Sequence, residues 1–253
     1  MFIENNFKFN EIIYLVNFKY YLFPNSISSY LNFLRNNHWP LKLLKNKSFN
    51  NIFLTLTNLF DVNKNYFNEM YNYRNLFKAT KKITFIKFQN INSKVNLKHL
   101  NNSESNNILF SGGGILKKEI LNIDKKFIHI HPGYLPKVRG ADGLLWSLKM
   151  HNHIGVSSFY MNDKIDSGEI IMREKYNAFK IKDNDILKYS HKEIYNFIYS
   201  FIDPLIRSNH LKKILLNYDL NNIKTIPNNI KTGKYYSFMK ESESEEIFKK
   251  LFI

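Results

Sequence analysis

The stretch FIHIHPGYLPKVRGADGLLWSLKMHNHIGVSSFYMNDKIDSGEII, Phe127 to Ile171, decides how this chain is read. It begins as an apolar run that closes on His131-Pro132, the pattern of a strand ending at a corner, because proline fixes its own φ and offers no N–H to continue a ladder. Beyond the corner, GADGLLWSLKM reads as a helix, GVSSFYM alternates as a strand, and EIIMREKY is a second strand after a turn at Asp166 to Gly168. Upstream, ITFIKF alternates like a strand, NSKVNLKHLNN reads as a short helix, NILF is stopped by glycines, and ILKKEILN gives another helix.

Strand, helix, strand, helix, strand is the order of right-handed crossover units. The expected fold class is therefore α/β, a Rossmann-like and mostly parallel sheet flanked by helices, with reactive groups at the carboxyl ends of strands. Gly112, Gly113, Gly114 and the His131-Pro132 corner fall at such ends. Residues 1–80 are less regular: NEIIYLV suits a buried strand, SISSYLNFLRNN a helix capped by Ser26 or Ser28, and NIFLTLTNLF, rich in β-branched residues, a further strand. After Tyr176, the stretch from Asp183 to Leu215 has apolar residues at helical spacing, with Asp183 or Asn184 as cap and a break expected at Pro204. The tail KTGKYYSFMKESESEEIFKKLF reads as a turn and a solvated, amphipathic terminal helix. The expected division is 1–80 as the amino-terminal part of the α/β domain, 81–178 as its catalytic core and 179–253 as a short helical carboxyl-terminal extension.

Composition narrows the function classes. The 253 residues contain no cysteine, which excludes a disulfide framework, a thiolate zinc site and a cysteine nucleophile. The formal net charge of +16 invites a polyanionic partner, yet the lysines are scattered singly among asparagines and arginine stands only at 35, 74, 139, 173 and 207. We read most of this charge as compositional drift, while noting that it attracts a phosphate-bearing substrate. The apolar run FNEIIYLVNFKYYLF is broken by Asn17 and Lys19, falls short of a membrane span, and has neither the charged start nor the small-residue cleavage site of a signal peptide. The expectation is a soluble cytoplasmic protein with no membrane partner.

The opening stretch carries the chemistry. We expect one of His129 and His131 to be sure of entering a given cleft, and a twist at the Pro132 corner to be able to bring both to one mouth. Pro132 and Pro136 stiffen the loop, and Gly133 and Gly140 permit close approach of backbone to a ligand. An aspartate in the Asp163 to Gly168 turn, Asp166, can stand against a histidine, fix its tautomer and raise its basicity, as proton transfer at neutral pH requires.

Taken together, HIHPGYLPKVRG, KIDSGEII and the preceding FSGGGILKKEIL resemble the formyltransferases that use 10-formyltetrahydrofolate, over roughly Ile83 to Tyr176. That family's core runs strand, Asn-x-His-Pro, a Leu-Leu-Pro-x-x-Arg-Gly loop, then a strand leading to an Asp-x-Gly turn. The order of several parts makes the likeness more specific than any one motif. The resemblance implies formyl transfer to an amine through a tetrahedral intermediate, with His131 as the catalytic histidine and Asp166 as its partner. It implies that Asn90, Ile91, Asn92 and Asp163 lie by the folate donor, and Gly112, Gly113, Gly114 and Arg139 by the acceptor. No metal is implied. At the position of the family's asparagine, which holds the formyl oxygen, this chain has His129.

Three classes of function then compete. The first is an active formyltransferase whose acceptor is a small or nucleotide-linked amine, anionic in character, an amino sugar being favoured and initiator tRNA ranked lower. A homodimer is among the assemblies this reading allows. The second is a formyltransferase-like binding module whose chemistry is impaired by His129. The third takes His129 and His131 as the metal pair of an amidohydrolase barrel, a weaker reading because only about half the chain follows the pair, too little for the remaining strands and ligands.

Overall fold

The computed structural model describes residues 8–16, 39–62, 78–87, 90–111, 114–179, 181, 183 and 185–252. In chain order the elements are β1 (Ile12–Val16), α1 (Trp39–Leu43), α2 (Lys47–Leu59), β2 (Ile83–Lys87), α3 (Lys94–Asn101), β3 (Asn107–Phe110), α4 (Lys118–Leu121), β4 (Lys126–His131), β5 (Val138–Gly140), α5 (Gly143–His151), β6 (His153–Tyr160), β7 (Ile170–Asn177), α6 (His191–Phe197), α7 (Asp203–Asn217), β8 (Lys234–Tyr236) and α8 (Glu241–Phe252). The helix expected over SISSYLNFLRNN lies outside the described residues.

Parallel pairs join β1 to β2, β3 to β4 and β5 to β8, while β6 runs antiparallel between β4 and β7. The larger sheet thus has the order β3-β4-β6-β7, parallel on one side of β4 and antiparallel on the other. The loop after β4 and helix α5 return the chain from the carboxyl end of β4, so β6 starts beside that end and runs back along the strand.

Along β4, Ile128 and Ile130 enter the main core, while Phe127 enters a smaller cluster with Leu116 and Ile120. Side chains at i and i+2 share one face of a strand. His129 and His131 therefore lie on the same face as Phe127, and the expectation that only one of them is sure of a cleft is corrected by the pleat itself.

Three further corrections concern helices. The run NIFLTLTNLF, expected as a strand, lies in α2: Phe49, Ile52, Phe53 and Leu56 are buried at i, i+3, i+4 and i+7, so the helical period prevails over the β-branched composition. Pro204 does not break the helical run. A π turn over Ile198–Ile202 stands just before it and Pro204 lies in the first turn of α7, where the wider turn absorbs the missing N–H. The terminal helix is not merely solvated, since Ile247, Phe248, Leu251 and Phe252 of α8 pack into the same core as β4, α2, α5, α6 and α7. Aromatic pairs bind these helices together: Phe49 and Phe197 rings lie 4.8 Å apart, Phe197 and Phe201 5.3 Å, and Phe53 and Phe201 5.7 Å. Each such side chain contributes about 2 kcal/mol from burial alone.

On the other side of the sheet from the histidines, a polar network pins β7 to α7. Glu174 accepts from His210 Nδ1 at 2.7 Å, from Lys213 Nζ at 2.5 Å and from the Tyr176 hydroxyl at 3.0 Å. His210 is fully buried and its Nε2 lies 3.2 Å from Ser158 Oγ on β6. Burial opposes ionisation of Glu174, but the hydrogen bonds from His210 and Lys213 outweigh it and hold the carboxyl at about 2. A depressed carboxyl contributes stability that is present above its unfolded value, 4.5, and is lost as pH falls through about 2. Glu174→Gln is expected to cost about 2 kcal/mol at neutral pH, after allowance for partial exposure. Urea unfolding at pH 7 and pH 3 checks this: the gap between wild type and variant should narrow at the lower pH, and a gap independent of pH would show that the network contributes nothing through charge.

Candidate active site

His131 ends β4, where the pleat and the Pro132 corner turn it under its own loop. Its ring is 3% exposed. Nε2 lies 3.0 Å from the carbonyl of Val138, so this nitrogen carries the hydrogen and donates it. Nδ1 faces the Asp166 carboxylate, with Oδ2 at 3.6 Å. That separation is an ion-pair distance rather than a made hydrogen bond.

Asp166 is brought there by the β6–β7 turn, where its backbone takes φ 49°, a left-handed conformation that aspartate tolerates better than most residues. Its Oδ2 accepts the Gly140 N–H at 2.7 Å, and Gly140 itself has φ 94°. A side chain at Gly140 would place Cβ 2.1 Å from the Tyr236 carbonyl, so β8 leaves room for glycine alone. Gly133 is equally constrained: a Cβ there would lie 2.4 Å from His131 Nε2. Ser157, fully buried opposite His131 on β6, donates to the Gly133 carbonyl at 2.8 Å and accepts from Leu135 N–H at 2.9 Å, locking the loop over the ring.

His129 lies one pleat back on the same face. Its Nδ1 is 2.9 Å from the Phe110 carbonyl on β3, which can only accept, so the Nδ1 hydrogen is committed to the sheet. In the neutral ring Nε2 is then an acceptor. Burial pushes the ring's pKa down, with the neighbouring His131 acting in the same direction and only partly offset by the Phe110 bond. The neutral form is favoured, which is the form without a second N–H to offer a ligand.

The Asn90, Ile91 and Asn92 turn and the segment after the glycines meet at a second rim. Asn92 accepts the Lys117 N–H at 2.7 Å and donates to the Ile115 carbonyl at 2.9 Å. Buried Asn96 supports the turn from α3, donating to the carbonyls of Asn90 and Ile91 at 3.3 and 3.0 Å. Gly114 has φ 101°, and a Cβ on it would meet Ile91 Cγ2 at 3.8 Å. Asp163 joins the same rim through Lys118 Nζ at 3.3 Å. The sequence-predicted residues Asn90, Ile91, Asn92, Gly114 and Asp163 thus stand along one edge, and His129, His131 and Asp166 at another. Gly112 and Gly113 lie outside the described residues. Arg139 sits on β5 opposite Tyr235, with its buried Nε lacking a hydrogen-bond partner.

Several participants were missed from the sequence. Ser157, Asn96 and the Val138 carbonyl carry no motif; only the strand register and the turn geometry reveal them. Asp203 is also new: it is 3% exposed, its Oδ2 accepts a hydrogen bond from Arg207 Nε at 2.9 Å and pairs with Nη2 at 2.7 Å, and it lies near enough to His131 for their charges to interact.

Residues 78–198, just under half of the chain, match the model of the Formyl transferase family. Methionyl-tRNA formyltransferase of Prochlorococcus marinus (strain MIT 9312) is 40% identical over 82 residues, which is 32% of this chain and 24% of that protein. The enzyme of the same name from Clostridioides difficile (strain 630) is 36% identical over 72 residues, 28% of this chain and 23% of its own. The matched region thus spans about a quarter of the length of these curated relatives. Among solved structures, the formyltransferase PseJ of Anoxybacillus kamchatkensis, in complex with UDP-4,6-dideoxy-4-formamido-L-AltNAc and tetrahydrofolate, is 21% identical with a TM-score of 0.43, over 68% of this chain and 86% of that one. HypX of Aquifex aeolicus gives 16% identity and a TM-score of 0.44, over 64% and 26%. Superpositions this loose carry no argument about ligands. What the sequence comparison shows is that residues 78–198, with the His131-Pro132 corner and the Asp166 turn inside them, match the formyl transferase family.

Proposed function

We propose that the chain transfers a formyl group from 10-formyltetrahydrofolate to a primary amine of a small, phosphate-bearing acceptor, with a nucleotide-linked amino sugar as the favoured class. The observation that carries this reading is the buried His131 held between the Val138 carbonyl and the Asp166 carboxylate, itself fixed by the Gly140 N–H. With Nε2–H committed, Nδ1 is the nitrogen that takes the proton released as the acceptor amine bonds to the formyl carbon, and it returns that proton to the folate nitrogen as the bond from that nitrogen to the formyl carbon breaks. Asp166 then faces an imidazolium and stabilises it, and the 3.6 Å gap is of the length that closes when substrate orders a site. The rigid loop supplies orientation, because the ring cannot swing while Ser157 holds Gly133 and Leu135.

The bound folate would supply an activated formyl carbon. Asn90, Ile91, Asn92 and Asp163 are the residues that would hold it. Their fit is favoured by Gly114, whose missing side chain leaves the Ile91 surface open beside it for a flat ring. A second reading keeps the donor and takes initiator tRNA as acceptor, favoured by the sequence match to methionyl-tRNA formyltransferases. Incubation of the full chain with 10-formyltetrahydrofolate and a panel of amino sugar nucleotides, other amines and charged initiator tRNA, read as a formyl mass gain, ranks the acceptors. No gain on any of them would leave a binding module.

Asp166→Asn separates the chemistry from the fold. Asparagine tolerates the left-handed backbone and its carbonyl can still accept the Gly140 N–H, so the melting temperature should change little. Turnover should drop roughly 10²- to 10⁴-fold, the range for loss of acid–base assistance. A near-normal rate would remove Asp166 from the mechanism.

His129 is tested by pH. For the ring to donate to the formyl oxygen it must carry a second proton, and the lowered pKa means that this form gains population only as pH falls below the usual histidine value. Wild type should therefore gain relative to His129→Asn as the assay is taken from pH 8 to pH 6, and His129→Asn should be the faster enzyme at pH 8. His129→Ala should lose roughly a hundredfold against His129→Asn, the scale of one oxyanion donor. Equal rates for wild type, His129→Asn and His129→Ala at every pH would exclude His129 as a donor.

A further inference from the structure

Next to the His131 loop lies a cluster of basic groups that neither the proton chemistry nor the folate rim uses. Tyr134 projects from the loop three residues after His131, and its ring is overlaid by two cations, with Arg173 Cζ 5.0 Å and Lys175 Nζ 4.7 Å from the centroid. His153 meets the same ring edge-on at 5.6 Å, and His151 stacks on His153 at 5.7 Å. Lys137, at the far end of the loop, lies close enough to His151 to influence its charge. The strand register explains the gathering. Because β6 begins beside the carboxyl end of β4, and His153 pairs with Asn177 while Gly155 pairs with Lys175, the start of β6 and the end of β7 both reach the end of the sheet where His131 sits.

Among the described residues, none of Lys137, His151, His153, Arg173 and Lys175 forms an ion pair. Glu174, between two of them in sequence, points to the opposite face and is consumed by His210 and Lys213. Arg173 is anchored by one bond, Nη1 to the Leu135 carbonyl at 2.8 Å, so it is held in place rather than free to swing. Lys137, His151 and Lys175 are exposed. Burial and the adjacent lysines depress both histidines, Lys137 and Lys175 acting on His151 and Lys175 on His153, so the cluster gains further positive charge when an anion sits on it. Three residues of extended chain span at most about 11 Å, so an anion bound at Tyr134 lies within one small molecule's length of His131.

We infer that Tyr134, Lys137, His151, His153, Arg173 and Lys175 form a binding site for the phosphate or pyrophosphate group of the acceptor, set beside the catalytic loop so that the amine reaches His131. This rests on the proposed formyl transfer for the identity of the ligand, but the anion site can be measured without it. The probe is inorganic pyrophosphate, titrated into the full chain at pH 7 and fixed physiological ionic strength, with the histidine ring resonances followed by NMR. Saturable one-to-one binding that moves the His151 and His153 signals, and that weakens about tenfold or more in Lys137→Gln/Lys175→Gln, is expected, since charge-assisted hydrogen bonds to phosphate are being removed. Both substitutions are at exposed positions and should leave the fold intact. Absence of saturable shifts at His151 and His153, or an unchanged affinity in the double variant, overturns the site. A short RNA duplex that binds with a steep salt dependence where pyrophosphate does not bind also overturns the assignment to a small acceptor. The two proposals fail separately. Pyrophosphate binding without formyl transfer to any amine keeps the site and sinks the activity, whereas formyl transfer to a phosphate-bearing amine with KM unchanged in the double variant keeps the activity and sinks the site.

Discussion

The antiparallel register of β4 against β6 is the constraint on which the rest of the site depends. It sets Ser157 opposite His131, and the Ser157 hydroxyl then clamps the loop by one donated and one accepted bond. A buried hydroxyl with both capacities used costs little, whereas one left unpaired costs about 1–3 kcal/mol, so the loop and the strand stabilise each other's position. With the loop fixed, Gly133 passes over the ring of His131 and the Val138 carbonyl meets Nε2. The β6–β7 turn, a continuation of the same strand pair, brings Asp166 to the other ring nitrogen.

The two faces of this sheet serve different ends. One holds Ile128, Ile130, Ile154 and Val156 against α2, α5, α6, α7 and α8, and it also holds the Glu174, His210 and Lys213 network. In that network the charges are paired, as a buried site requires. The other face carries His129, His131, Asp166 and the unpaired basic cluster around Tyr134. Uncompensated positive charge has a cost that the fold tolerates at a sheet end open to water, and it leaves groups available to an anionic ligand. Neighbouring β7 residues thus alternate between roles: Arg173 and Lys175 face the loop while Glu174 and Tyr176 face α7.

His129 shows how one side chain ties the site to the sheet. An imidazole at this position spends its Nδ1 hydrogen on the Phe110 carbonyl of the adjacent strand, and burial disfavours the charged ring. An asparagine amide carries two hydrogens on one nitrogen and can serve the sheet and a ligand together. Compared with the asparagine that the resemblance leads one to expect at this position, His129 differs in hydrogen-bond capacity more than in size.

By itself the sequence determined most of the local elements from Ile83 to Asn177, because those strands and helices have their own period and are bounded by glycine or proline, but not β5, whose three residues pair only with the distant β8. It also led to the expectation that Asp166 stands against a histidine, and Asp166 Oδ2 lies 3.6 Å from His131 Nδ1. It misread NIFLTLTNLF, where a β-rich composition masked a helical period, and Pro204, whose effect is absorbed by a π turn that no residue type announces. Only the tertiary structure decided which way β6 runs, that both histidines share a face, that α8 completes the core, and which polar groups hold the loop. Those outcomes come from pairing between residues far apart in the chain, where register and burial, rather than local preference, set the free energy.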